Sequence, residues 1–173
     1  MLREATERDL EDIRRWRNHD KVRKASIFTD EITPEGHARW WAGVQADPAR
    51  RVLVFSYLGT PSGVVLINNH DPVARTAEWG FFLDVDGLDA RGQLLPAWIQ
   101  LEKEAVAYGF DELGLQAMGG RTLASNDRVL ALHRRFGFKD VPERTYSTSI
   151  DGVIQTVVWT ELTANGRPPS SAR

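Results

Sequence analysis

Residues 78–138 alternate between strand-like and helix-like patterns, and this order constrains the fold more than any other feature of the chain. Polar and apolar residues alternate over residues 77–84, which is the period of a strand. From Leu94 onward, apolar residues recur every three or four positions, as one packed face of a helix requires. The patterns predict a strand, a loop, a long helix, a strand and a short helix over residues 77–84, 85–93, 94–110, 116–123 and 126–136. Such an order is typical of a mixed α/β domain.

The first of these strands has a predictable orientation. Alternation places Trp79, Phe81 and Leu83 on one face of the sheet. Glu78, Gly80 and Phe82 then lie on the opposite face.

Two helices are predicted in the N-terminal third, after a short strand over residues 2–5. Thr6 and Asp9 have the spacing of a capping box, so a first helix is expected to begin there. Residues 19–32 are polar, and we expect them to be irregular. Thr33-Pro34 then supplies a cap and a first-turn proline for the second helix.

The remaining strands are predicted as two hairpins. The first joins its strands through residues 58–63, and the second turns at Asp151-Gly152, which is a strong hairpin signal. The strands are expected over residues 52–57, 64–68, 145–150 and 153–162. We therefore predict one domain over residues 1–162 and a disordered tail over residues 163–173.

Composition excludes several function classes. The chain has 173 residues, no cysteine and a formal net charge of -2, so it has no thiolate metal site and no overall basic character for nucleic acid. No apolar run approaches the roughly 20 residues that span a bilayer. The acidic start is unlike a signal peptide, so we expect a cytoplasmic protein with no membrane or nucleic-acid partner.

The run from Leu123 to Phe138 reads LASNDRVLALHRRFGF, and it resembles a motif of the GNAT superfamily of N-acetyltransferases. His133 stands where that motif has a tyrosine, and Val129 stands where it has a small alanine. The N-terminal helices resemble two branches, the ribosomal-protein alanine acetyltransferases and the nucleotide-amino-sugar enzymes of the pseudaminic acid pathway. The resemblance covers residues 2–162. It implies a single domain with a mixed, mostly antiparallel sheet flanked by helices, and splayed strands that form an acyl-CoA cleft.

The resemblance also implies an acetyl-CoA site. Phe82 and Leu83 would offer backbone groups to the pantetheine arm. The first turn of the long helix would hold the pyrophosphate, because free amides and the helix dipole favour an anion. Asn126 would bond the pantetheine unless it is a plain helix cap, and Arg128 would meet a phosphate unless it is a solvated charge. The residues assigned to the pyrophosphate turn are Gln93, Leu94, Leu95 and Ala97.

This turn departs from the family pattern, because both expected small residues are absent and Pro96 removes an amide donor. Two alternatives to acetyl-CoA-dependent N-acetylation therefore stay open. The fold could use another acyl donor, such as a larger acyl-CoA, a carrier-protein thioester or an aminoacyl-tRNA. It could also be a binding module that has lost catalysis.

Two residues are candidates for proton transfer. Glu78 is the candidate base, acting on the ammonium through water, and the alternative is a structural carboxylate with a nearby arginine. His133 is the candidate acid for the leaving thiolate, since an imidazole titrates near neutral pH. The alternative for His133 is a half-buried residue that only contacts the cofactor.

The acceptor would be a small-molecule amine, and a nucleotide-linked amino sugar is the preferred class. Aromatic side chains could stack on a base, and polar side chains near residues 19–32 could cover the acceptor. The expected substrate-binding residues are Arg17, Asn18, Phe28, Trp40 and Trp79. The histidine spacing indicates no metal site. The resemblance leaves a homodimer open.

Overall fold

The structure is a computed structural model and describes residues 1–168. Its strands are β1 Leu2–Glu4, β2 Arg51–Tyr57, β3 Thr60–Asp71, β4 Thr76–Leu83, β5 Ala117–Leu123, β6 Lys139–Asp140, β7 Tyr146–Ile150 and β8 Val153–Thr163. Its α-helices are α1 Leu10–Asn18, α2 Asp20–Lys24, α3 Pro34–Ala46, α4 Val85–Ala90, α5 Leu94–Ala107 and α6 Asp127–Arg135. A π-helical turn, Tyr108–Glu112, extends α5.

The strands form one mixed sheet. The eight strands follow the order β1-β2-β3-β4-β5-β8-β6, and β7 pairs with β8 outside this path. The β4–β5 pair is parallel, and the other pairs of the described chain are antiparallel. The predicted fold class is therefore confirmed.

A hydrophobic core covers each face of the sheet, and β4 contributes to both. Trp79 and Leu83 pack with the α5 side chains Leu101 and Ala105. Phe82 packs on the other face with Ile13 and Trp16 of α1. The alternation predicted for this strand is therefore confirmed, because its odd and even positions enter different cores.

Local sequence signals position the N-terminal helices. The backbone N–H of Thr6 donates to Asp9 over 2.8 Å, which completes the predicted capping box. A 3-10 turn, Glu7–Asp9, follows it and leads into α1. Thr33 caps α3 by accepting a hydrogen bond from the Gly36 amide.

Two predictions about irregular segments were wrong. Residues 19–32 contain α2, because His19 accepts from the Lys21 amide and caps a short helix. Residues 85–93 contain α4, which Asp84 caps by accepting from the Gly87 amide. The two capping residues, a histidine and an aspartate, are also common in loops, so the sequence pattern alone did not reveal these helices.

The predicted disordered tail was wrong for its first part. Thr163 belongs to β8, and Ala164–Gly166 form a 3-10 turn. Arg167 pairs with Asp111, which anchors this segment to the π-helical turn. The rest of that prediction, residues 169–173, lies outside the described residues.

Candidate active site

Strands β4 and β5 pair at one end and separate at the other. Their pairing covers residues 76–78 of β4 and 117–119 of β5, and the last pair is Glu78 with Gly119. Both strands continue, to Leu83 and Leu123, while β4 stays paired with β3 on its other side. One edge of β4 therefore has free backbone donors and acceptors facing the gap.

A glycine allows the strands to approach where they begin to separate. A Cβ at Gly120 would lie 2.6 Å from the carbonyl oxygen of Trp79, which is closer than side chains tolerate. By contrast, a Cβ at Gly80 would meet nothing within 4 Å, because it would face open space. The splayed cleft thus depends on a missing side chain at Gly120.

A cavity of about 630 Å³ occupies the gap, which lies within the usual size range of ligand sites. Residues of β3, β4, β5, α1, α2, α5 and α6 and of the 25–28 segment line it. The predicted site residues that line it are Arg17, Phe28, Glu78, Trp79, Phe82, Leu83, Leu94, Asn126, Arg128 and His133.

The other predicted cofactor residues do not line the cavity. Ala97 is buried in the core, and its amide donates to the Gln93 carbonyl. The Gln93 side chain accepts from Arg91, and Leu95 is exposed. Within residues 1–168, the first-turn amides of Leu94 and Leu95 have no hydrogen-bond acceptor. An anion at this turn would therefore meet two amides and no glycine.

Two predicted substrate residues, Asn18 and Trp40, do not line the cavity. Asn18 exchanges two hydrogen bonds of 2.8 Å with the backbone of Ile32, and these bonds hold the 19–32 segment against α1. Trp40 stacks on His37 and packs in the second core, away from the cavity. The pattern misplaced both residues because it could not show which face of α1 and α3 turns toward the gap.

Glu78 lies at the point where the strands separate, and both of its oxygens are engaged. Arg121 donates to Oε1 over 2.6 Å, and the amide of Asn69 donates to Oε2 over 3.2 Å. The Glu78 side chain is 14% exposed. The carboxylate therefore has the arginine partner that the structural alternative required, while it still faces the cavity.

His133 forms part of the inner wall of the cavity, within an aromatic cluster. Its ring lies 5.2 Å from the rings of Trp79 and Phe138, measured between centroids. The residue is 4% exposed, and burial lowers the pKa of His133 to about 4. The imidazole is therefore neutral near pH 7 and is not an ordinary imidazolium acid.

Arg17 has a guanidinium that is incompletely bonded. Its Nη2 donates to the Phe28 carbonyl over 2.7 Å, whereas its buried Nη1 has no partner within the described chain. Burial, with the charge of Arg23 as a smaller cause, lowers the pKa of Arg17. A charge that is costly to bury and faces a cavity is suited to bind an anion there.

The sequence profile of the acetyltransferase (GNAT) domain family matches residues 1–139. The chain belongs to this family. It is an acyl-CoA-dependent N-acetyltransferase with acetyl-CoA as co-substrate, as the sequence motif indicated. No curated protein sequence is significantly similar to the chain.

Solved GNAT structures share the fold at low sequence identity. Spermidine N-acetyltransferase from Vibrio cholerae, in complex with CoA and spermine, has 18% identity and a TM-score of 0.80, with 96% of each chain covered. The ribosomal-protein-alanine N-acetyltransferase from Brucella melitensis has 19% identity and a TM-score of 0.74, with 94% of this chain and 99% of that chain covered. An N-acetyltransferase from Staphylococcus aureus Mu50 has 20% identity and a TM-score of 0.72, with 94% and 97% covered.

Two further observations concern the described part of this GNAT chain. None of the helices described in residues 1–168 is long and apolar enough to cross a membrane. The same residues contain no group of three or more histidine and acidic side chains that could hold a metal ion.

The sequence analysis missed three residues of this GNAT site. Arg121 and Asn69 hold Glu78, and Glu102 lies 3.5 Å behind His133. The helical period did contain a signal for Glu102, because this carboxyl follows Trp98 by four positions and so falls on the buried face of α5. The partners of Glu78 come from distant strand positions and left no local pattern.

Proposed function

We propose that the protein acetylates the primary amine of a small molecule that also carries an anionic group, and that a nucleotide-linked amino sugar is the preferred substrate. The observation that carries this proposal is the incompletely bonded guanidinium of Arg17, a residue that lines the cavity and whose buried Nη1 has no partner within residues 1–168. A phosphate or carboxylate of the acceptor would accept a hydrogen bond from this guanidinium. The exposed ring of Phe28 beside it is suited to stack on a base.

The acetyl-CoA would lie along the free edge of β4. In this arrangement, the backbone of Phe82 and Leu83 bonds the pantetheine amides, and Asn126 contacts the arm from the other wall. The Leu94 and Leu95 amides and the side chain of Arg128 would bind phosphate oxygens. Two amides and one cation form a weaker phosphate site than a glycine-rich turn, so we expect moderate affinity.

The charge of the cavity wall favours an anionic acceptor over a polyamine. The charged residues lining the cavity are the cations Arg17, Lys21, Arg121 and Arg128 and the single carboxylate Glu78. That carboxylate is already neutralised by Arg121. Spermine, which is present in the Vibrio cholerae structure, would bring several positive charges to a positive wall.

Glu78 would be the base that takes the ammonium proton through a bound water, so the carboxylate becomes a carboxylic acid. Its position at the separation of the strands is close to where the acetyl group would lie, and Arg121 and Asn69 fix the carboxylate plane. His133 would then protonate the leaving thiolate from the opposite wall. Glu78→Gln should lower kcat while leaving the binding of acetyl-CoA unchanged.

The test begins with calorimetric titration of acetyl-CoA, followed by turnover on a panel of amines. The panel contains a nucleotide-linked amino sugar, a simple amino sugar, an amino acid and spermine. We expect micromolar binding of acetyl-CoA and the highest kcat/KM with an anionic amine. Turnover of spermine alone would contradict the anionic acceptor, and no binding at millimolar acetyl-CoA would contradict the function itself.

Arg17→Gln tests the observation directly. We expect it to raise KM for the anionic acceptor by about tenfold to a hundredfold, because a charged hydrogen bond is worth roughly 1.5–3 kcal/mol. The matched control is Arg39→Gln, an exposed arginine of α3 outside the cavity wall. Equal effects of the two changes would remove Arg17 from the acceptor site.

Retention of a carrier-bound thioester with no CoA binding would favour another acyl donor. Unchanged product formation after Glu78→Ala and His133→Ala would favour a different catalytic site or a binding module. The cytoplasmic location, the role in biosynthesis and the homodimer stay predictions.

A further inference from the structure

A second ionisable side chain is buried behind His133. Glu102 of α5 is fully buried, and its Oε1 lies 3.5 Å from Nδ1 of His133. In the part of the chain that the structure describes, neither carboxylate oxygen and neither ring nitrogen has a hydrogen-bond partner. Two buried polar groups that face only each other are costly for stability, so they call for a functional explanation.

Apolar side chains pack around this pair. Trp79 and Phe81 of β4 and Phe138 after α6 surround the imidazole, and Leu101 and Ala105 flank the carboxyl on its own helix. Burial is the cause of both pKa shifts, and no charged side chain of residues 1–168 contributes to either. The electrostatic state of each group is therefore set by burial and by the other group.

Burial favours the uncharged form of both groups. It raises the pKa of Glu102 to about 8 and lowers that of His133. The pair is then a carboxylic acid beside a neutral imidazole near pH 7. In this state the carboxyl O–H can donate to Nδ1, which leaves the imidazole hydrogen on Nε2.

Only one member of the pair reaches the cavity. His133 lines the cavity wall, whereas Glu102 does not. Nδ1 faces Glu102, and Nε2 is the ring nitrogen directed away from the carboxyl; it is itself buried in the protein without substrate. The order is therefore carboxyl, imidazole, cavity.

We propose that Glu102 is the positioning residue and proton store of the reaction, acting through His133 on the leaving thiolate. This inference rests on the proposed N-acetyltransfer. When the C–S bond of the thioester breaks, the sulfur takes the hydrogen of Nε2–H and becomes a thiol. Nδ1 takes the carboxyl hydrogen at the same time, so the imidazole stays neutral and Glu102 becomes a carboxylate. After the product leaves, Nε2 takes a proton from water in the cavity and Nδ1 returns its hydrogen to the carboxylate, which restores the carboxylic acid and the Nε2–H imidazole.

This relay explains how a neutral, buried histidine can supply a proton. An imidazole that loses a proton without replacement would become an anion, which is too costly in an apolar site. The raised pKa of Glu102 is close to that of a thiol, about 8.5 for cysteine, so the proton transfer is nearly balanced. The separation of 3.5 Å is long for a hydrogen bond, but catalytic hydrogen bonds often shorten in the substrate complex.

The first arm of the test needs no substrate. Nitrogen-15 NMR of the histidine rings reports which nitrogen of His133 carries hydrogen, and we expect the Nε2–H form near pH 7. Glu102→Gln should keep this form, since an amide N–H can also donate to Nδ1, whereas Glu102→Leu should lose the preference. An Nδ1–H ring in the unaltered protein would overturn the proposed positioning.

The second arm measures thiol release at saturating acetyl-CoA across pH 6 to 9. We expect Glu102→Gln to lower kcat by at least about tenfold with little change in KM for acetyl-CoA, because the carboxyl does not line the cavity. In the unaltered protein kcat should fall as pH rises through the pKa of Glu102, and this fall should be absent in the variant. The control is Glu112→Gln, an exposed change on the π-helical turn that should leave the whole profile unaltered.

The outcomes separate this inference from the proposed function. If the unaltered protein turns over an amine and Glu102→Gln has the same kcat and the same pH profile, the relay is wrong and the acetyltransferase function stands. If the unaltered protein turns over no amine, both are wrong.

Discussion

The buried Glu102 makes a quantitative prediction about stability and pH. The carboxyl has an ordinary pKa of 4.5 and, when buried, one of about 8. Between these values the folded protein holds a proton that the unfolded chain has released. Raising the pH therefore favours unfolding. The contribution of the Glu102 proton to the free energy of unfolding is fully present below pH 4.5 and is lost as the pH rises toward 8.

The magnitude follows from the size of the shift. One pKa unit is worth roughly 1.4 kcal/mol, so the full window from 4.5 to about 8 corresponds to about 5 kcal/mol. The lowered pKa of His133 acts in the opposite direction below its ordinary value of 6.5, where falling pH destabilises the folded protein. The effect of Glu102 is therefore best isolated between pH 6.5 and 8, where its ionisation lowers the free energy of unfolding by about 2 kcal/mol.

Urea unfolding of the unaltered protein, Glu102→Gln and the control Glu112→Gln at pH 6.5 and 8 measures this loss. We expect the unaltered protein and the control to lose about 2 kcal/mol more than Glu102→Gln across this interval, since only the amide cannot ionise. For a chain of 173 residues this corresponds to roughly 4–8 °C in Tm. Equal losses in all three proteins would show that Glu102 is not a buried neutral acid.

Substitutions at three further positions test the cleft and the 19–32 segment. Gly120→Ala should destabilise the protein by about 1–3 kcal/mol in urea unfolding and weaken acetyl-CoA binding, because its methyl group would lie 2.6 Å from a β4 carbonyl. Gly80→Ala should weaken acetyl-CoA binding in calorimetry without loss of stability, since its methyl group enters open space in the cavity wall; equal destabilisation by both alanines would contradict this geometry. Asn18→Ala should cost about 1–3 kcal/mol and speed proteolytic cleavage within residues 19–32, because two hydrogen bonds to Ile32 are lost. Asn18→Asp should keep the bond from the Ile32 amide and have a smaller effect, and unchanged cleavage in Asn18→Ala would show that these bonds do not hold the segment.

The local signals of the sequence were reliable because they depend on neighbouring residues. The capping box at Thr6, the Thr33 cap and the Asp151-Gly152 turn each act over a few positions, and the structure contains all three. Asp151 and Gly152 both have the positive φ that such a turn requires, 50° and 78°. Alternation along β4 was equally informative, because each face of a strand enters a different core.

The predicted site residues that do not line the cavity are held by contacts that the local pattern does not contain. Asn18 matched an expected substrate contact, yet its side chain is bonded to a backbone 14 residues away. Trp40 has an aromatic side chain that could stack on a base, yet the orientation of α3 packs it against the second hydrophobic core. Of the four residues predicted at the pyrophosphate turn, Gln93, Leu94, Leu95 and Ala97, only Leu94 lines the cavity.

By itself, the sequence determined the order of the elements apart from α2 and α4, the two faces of β4 and the family, because periodicity, caps and the Asn126 to Phe138 motif are local features of the chain. Only the tertiary structure decided where β4 and β5 separate, which cations face the cavity and that Glu102 lies behind His133. Glu102 and His133 are 31 positions apart in the sequence, and only tertiary packing brings them together. The chemistry of the site therefore depends on packing that the local pattern does not contain.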